Sequence, residues 1–116
     1  MPIELRRIIL APAETQQAID SFRRTNPDVM PAGLVKGFFL KGSAEEVELV
    51  ISLGGFARST QPVSDFVLKG HQLTGMLIKF CLENNIPVPR NSKRFSCLHG
   101  DRLALSIEYA TECLTE

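Results

Sequence analysis

The stretch LTGMLIKFCLENNIPVPRNSKRFSCLHGDRLALSIEY, residues 73–109, decides how this chain folds. Its first part carries Leu73, Met76, Leu77, Phe80 and Cys81 at i, i+3, i+4, i+7 and i+8, the apolar stripe of a helix resting on a core. Ile78 and Leu82 widen that arc, so the helix, starting near His71, is expected to lie across a sheet face. Asn84 and Asn85 suit a left-handed C-terminal cap, after which Ile86 folds back apolar side down. Pro87 and Pro89 stiffen the exit. The chain then opens into a cationic loop, Arg90 to Arg94, and closes with a hairpin from Phe95 to Tyr109.

That hairpin has two competing registers. A two-residue loop at Gly100-Asp101 sets Leu98 against Leu103 and Ser96 against Leu105. A three-residue loop, His99 to Asp101, sets Cys97 against Leu103 and Phe95 against Leu105, gathering Phe95, Cys97, Leu103, Leu105 and Ile107 on one face. Burying Phe95 beside leucine is worth about 1.5–3 kcal/mol, more than turn preferences usually supply. The three-residue loop is therefore expected, with Cys97 in the core and His99 in the turn.

Working outward, Ile3 to Leu10 reads as a strand. Pro12 opens a helix that continues from Ala13 to Arg24, with Ala18, Ile19 and Phe22 inward, and Asn26-Pro27 ends it. Val35 to Lys41 and Val47 to Leu53 form a hairpin. With Gly42 to Glu45 as its loop, Leu40 opposes Val47, Phe38 opposes Leu49 and Lys36 opposes Ile51. Phe38, Leu40, Val47, Leu49 and Ile51 then share one face, and Phe39 and Val50 the other. Residues 56–68 are read as a strand; a helix starting at Ser64-Asp65 is the alternative. Gly70 and Gly75 count against that longer helix at about 1 kcal/mol each relative to alanine.

The expected fold is a single α+β domain over residues 1–116 in βαβββαββ order. A mostly antiparallel sheet of about six strands would carry two helices on one face. The helix, the exit IPVPR (86–90) and the run GDRLAL (100–105) together resemble a group of short, uncharacterised bacterial α+β proteins. The resemblance covers about the last third of the chain. It implies no activity and gives no residue a role.

Lys plus Arg and Asp plus Glu number 13 each, a balance that argues against a dedicated high-affinity nucleic-acid binder. Cys81, Cys97 and Cys113 are odd in number and form no C-x-x-C pair, which suits reduced thiols in a cytoplasmic protein. The first residues lack the order of a signal peptide, and no apolar run approaches the roughly 20 residues that span a bilayer.

Chemistry-bearing patterns are few. Cys97-x-His99 places a thiol and an imidazole two residues apart, a spacing that would suit a nucleophile and base or half a metal site. The remaining ligand types, Cys81, Cys113 and His71, are isolated, so a core cysteine and a turn histidine are the expectation, with no metal, no cofactor and no catalytic residue. The chain carries no phosphate-cradling glycine loop, nucleophile elbow or zinc-protease helix motif. What remains is the basic loop: Arg90, Lys93 and Arg94, with Arg6, Arg7, Arg23 and Arg24 as further cations the fold could add. Such a loop is most often merely solvated. As a site, it suits a small interaction or regulatory module that engages a protein partner or a second copy, without membrane. The alternatives are nucleic-acid binding by the same loop and an enzyme of unknown class.

Overall fold

The computed structural model describes residues 2–30, 33–54 and 64–110. Among them the order is β1 (Ile3–Ile9), α1 (Pro12–Thr25), β2 (Leu34–Gly42), β3 (Val47–Gly54), β4 (Ser64–Leu68), α2 (Gly70–Glu83), β5 (Lys93–His99) and β6 (Arg102–Ala110). This is the expected α+β succession; of the strand expected over residues 56–68, Ser64–Leu68 forms β4, and 56–63 lie outside the described residues. The six strands divide into two three-stranded antiparallel sheets, β1-β6-β5 and β2-β3-β4. The sheets meet where β5 passes the β2–β3 turn, and the Leu98 amide donates to the Ala44 carbonyl at 2.9 Å.

α2 joins the two sheets. It buries Leu73, Met76, Leu77, Phe80 and Cys81, the stripe read from the sequence, and packs against β3, β5, β6 and α1. Ile78 is half-buried and Leu82 lies exposed, so the apolar arc is narrower than its composition suggests. α1 adds Ala18, Ile19 and Phe22, together with Thr15 and Ser21. One contiguous core results, fed by Leu49, Ile51 and Leu53 of β3 and by Leu103, Leu105 and Ile107 of β6. Truncating any of these to alanine is worth about 2–5 kcal/mol.

The helix ends are locally encoded. Pro12 occupies the first turn of α1, and the Glu14 carboxylate accepts from the Ala11 amide at 2.9 Å. At the end of α2, Asn85 takes φ +58°. The Ile86 amide then reaches the Cys81 carbonyl at 2.8 Å and the Asn85 amide the Leu82 carbonyl at 3.4 Å, the two bonds of a Schellman cap.

Both hairpins correct the sequence reading. In the first, Leu40 faces Leu49 and Phe38 faces Ile51, a shift of two residues that leaves every side chain on its expected face. A bulge between Val35 and Gly37 takes Lys36 out of the pairing. In the last hairpin the shift is one residue, and it matters. Leu98 faces Leu103, Ser96 faces Leu105 and Phe95 faces Ser106, so the loop has two residues and Phe95 turns away from the core at 40% exposed. Two causes favour this register, one in the turn and one from α2. Gly100 has φ +64°, which supplies a tight two-residue turn at no steric cost. Opposite Leu105, the Ser96 amide donates to Thr74 Oγ1 at 3.2 Å, so α2 crosses β5 where a small side chain leaves room for it. Cys97 stays buried at 4% exposed, but on the face away from the helices.

Candidate functional site

The cationic loop hangs between two fixed points. The capped end of α2 holds Ile86, and Arg6 of β1 donates from Nη1 to the Pro87 carbonyl at 3.3 Å. Beyond it the Ser92 hydroxyl donates to the Pro89 carbonyl, closing a short turn. Arg90, Lys93 and Arg94 are all exposed.

Strand alternation then separates the three cations. Lys93 stands opposite Glu108 on the outer face, away from the helices. With Arg90 it borders a shallow hollow of about 410 Å³ that also touches Ile3, Glu108 and Tyr109. Arg94 stands opposite Ile107, on the helix side. It enters a second depression, a cleft of about 500 Å³ where the two sheets diverge. The walls of that cleft come from Glu45, Glu46 and Glu48 beside the first hairpin turn, from Lys69, His71 and Thr74 at the start of α2, and from Arg94, Phe95 and Ser96 of β5.

The other arginines go elsewhere. Arg6 reaches the root of the loop through Pro87. Arg7 lies on the outer face of β1, where Nε donates to Ser106 Oγ at 3.2 Å and Nη1 stands 3.4 Å from His99 Nδ1. Arg23 donates to the Gly33 carbonyl at 2.6 Å, and with Arg24 it borders a hollow shared with Asp20, Pro27 and Met30. The fold thus brings Arg6 to the loop and sends Arg7, Arg23 and Arg24 to other surfaces.

Cys97 and His99 share the outer face, as strand spacing requires, yet they do not meet as nucleophile and base. Cys97 Sγ is 3.2 Å from Ser106 Oγ, and the His99 ring faces Arg7. Burial pushes the Cys81 thiol above its ordinary range, with the Arg6 guanidinium opposing weakly. The Tyr109 phenol is also pushed up, chiefly by its 2.8 Å hydrogen bond to Glu4 Oε2, then by burial and by the negative charge of Glu4. His71 shares the cleft with three glutamates, but among the described residues no carboxylate lies within hydrogen-bonding distance of its ring. Among those residues, no cluster of His, Cys, Asp and Glu could hold a metal ion. No described helix is long and apolar enough to cross a membrane.

Comparison with protein families, with curated proteins and with solved structures found no match. The site therefore rests on its geometry alone. What sequence reasoning missed is the cleft. Its walls come from residues 45–48, 69–74 and 94–96, three segments brought together where β5 crosses α2 and passes the β2–β3 turn. No local pattern announces that. Its one local trace is the run Glu45-Glu46-Val47-Glu48, which alternates only in its second half.

Proposed function

We propose that this protein is a non-catalytic interaction module, and that it takes a protein partner at the end where the cationic loop, β5 and the cleft meet. The observation that carries the reading is that Arg94 and Phe95, the junction of loop and hairpin, both line the cleft. By alternation the Arg94 guanidinium enters the cleft while the exposed Phe95 ring stands with Lys93 on the outer face, so charged donors and apolar area lie on the two sides of one strand, the composition that anchors protein interfaces. The glutamates on the facing wall add the opposite sign, so a partner segment carrying both charges would be matched.

The test replaces Arg90, Lys93 and Arg94 by alanine. All three are exposed, so the fold should survive, as circular dichroism and thermal melting will show. Capture of partners from a source-cell lysate at low salt should fall. Unchanged capture would remove the loop from the reading.

A second reading, single-stranded nucleic acid, gains from one observation. Phe95 is exposed on the strand that carries Lys93 and Arg94, and an exposed ring beside cations can stack a base. Retention on mixed-sequence oligonucleotide across a salt series separates the two. Phosphate binding would show a steep salt slope, whereas no retention at about 50 mM salt would exclude it.

A further inference from the structure

We infer that two copies of this chain pair through β1, antiparallel about Leu5, joining the two β1-β6-β5 sheets into one. The inference does not rest on the cleft or on the cationic loop.

Among the described residues the outer edge of β1 is unpaired and regular. β1 runs from Ile3 to Ile9 without bulge or proline, and among the described residues only β6 pairs with it. The other edges are guarded. β2 is bulged at Lys36, and among the described residues β4 is short, with 5 residues. On β5 the outward amides of Ser96 and Leu98 are already engaged by Thr74 and Ala44.

The register follows from backbone direction. The Leu10 amide donates to Leu103, continuing the β1–β6 ladder. Alternation then turns the backbone groups of Glu4, Arg6 and Ile8 toward β6, and those of Ile3, Leu5, Arg7 and Ile9 outward. A second β1 must meet these outward groups with its own. Centred on Leu5, the pairing lets Leu5 exchange both bonds with Leu5 of the second copy, and Ile3 exchange both with Arg7.

Charge selects that centre. About Leu5, each Glu4 stands opposite Arg6 of the other copy in the close, non-hydrogen-bonded position. Moving the centre to Glu4 would oppose the two Glu4 carboxylates, and moving it to Arg6 would oppose the two guanidiniums. On the outer face the same pairing brings together the two Leu5 side chains, each 60% exposed in the single chain, and sets Ile3, 65% exposed, beside the Arg7 stem. The Glu4-Leu5-Arg6 triplet is thus its own complement.

Sedimentation velocity of the full chain from about 1 μM to about 1 mM tests this, since weak strand pairing falls in that range. The wild type should pass from monomer to dimer. Leu5→Lys places two ammonium groups at the centre, outside the core, and should stay monomeric across the range. Glu4→Arg should weaken the dimer about tenfold or more, and Glu4→Arg with Arg6→Glu should recover part of that loss. Hydrogen exchange on the unaltered protein gives an independent readout. The Leu5 and Arg7 amides should gain protection as concentration rises, whereas the Arg6 and Ile8 amides, already bonded to β6, should not change. A wild type monomeric throughout overturns the inference. So does a dimer indifferent to Leu5→Lys, or one whose Leu5 and Arg7 amides exchange no more slowly.

Discussion

Phe95 stands opposite Ser106 in the last hairpin, on the face turned away from both helices. That pairing places a large ring on an outer surface whose middle is made of small residues, Ala104 and Ser106, both fully buried. Their burial has a source. Arg7 stands opposite Ser106 and donates to its Oγ, Ala104 lies between Ile9 and Cys97, and Ser106 and Cys97 share a 3.2 Å contact.

The Cys97 thiol should therefore react slowly in the native state, although it lies outside the main core. Arg7→Ala removes the guanidinium over Ser106 and should speed labelling of Cys97 several-fold. Site-resolved mass spectrometry after a short pulse of thiol reagent reads this directly. Equal rates in the two proteins would mean that the strands alone shield the sulfur.

Alkaline pH should destabilise the fold through Tyr109 and Cys81. Both hold their protons more tightly folded than their ordinary values of 10.0 and 9.0, Tyr109 through Glu4 and Cys81 through burial. The unfolded chain then titrates first and binds fewer protons, so stability falls as pH rises past those values. Below the unfolded values both contributions are fully present. Urea midpoints measured from neutral pH to above 10 should fall, and Tyr109→Phe should fall less over the upper part of that range. An identical decline in the variant would remove Tyr109 as a cause.

Much of this fold is legible in the sequence because its signals are local. The stripe from Leu73 to Cys81 needs only helical periodicity, Asn85 only tolerance of positive φ, and Pro12 only its missing amide. The first hairpin keeps its faces even though its register slides by two, because alternation survives an even shift. The last hairpin fails because its register is set elsewhere. The sequence offers Phe95 and Ser96 as neighbours that could each face inward, and apolar burial favours the ring. What settles it is Thr74, on a helix more than a dozen residues earlier, whose hydroxyl meets the Ser96 amide. The candidate site divides likewise. The basic loop is visible as composition, whereas the separation of Lys93 from Arg94 and the glutamate wall facing Arg94 need the register and the crossing of the sheets.

The two helices are tied by one polar contact, the 2.7 Å bond from the Ser21 hydroxyl to Glu83 Oε1. Ser21 is buried and Glu83 exposed, so Ser21→Ala returns the carboxylate to water, whereas Glu83→Ala leaves a buried hydroxyl to find another acceptor. Ser21→Ala should cost about 1 kcal/mol, the net worth of such a bond. A double-mutant cycle with Glu83→Ala should show coupling of about 0.5–1 kcal/mol in urea denaturation. Additive effects would show that the contact contributes nothing to stability.

Thr74 carries the sharpest stability prediction, because one oxygen serves two purposes. It accepts from the Ser96 amide at 3.2 Å and lies 3.4 Å from Ser96 Oγ, closing part of the β5 edge that faces the cleft. Thr74→Val keeps the shape and removes the acceptor, leaving a buried amide without a partner at a cost of about 1–3 kcal/mol. Thr74→Ser keeps the oxygen and should cost well under half as much. Hydrogen exchange distinguishes this from a general loosening: the Ser96 amide should lose protection in Thr74→Val, while the Leu98 amide, held by Ala44, keeps its own. If valine and serine prove equally costly, the hydroxyl is not what fixes the strand against the helix, and the register of the last hairpin must be credited to the Gly100 turn instead.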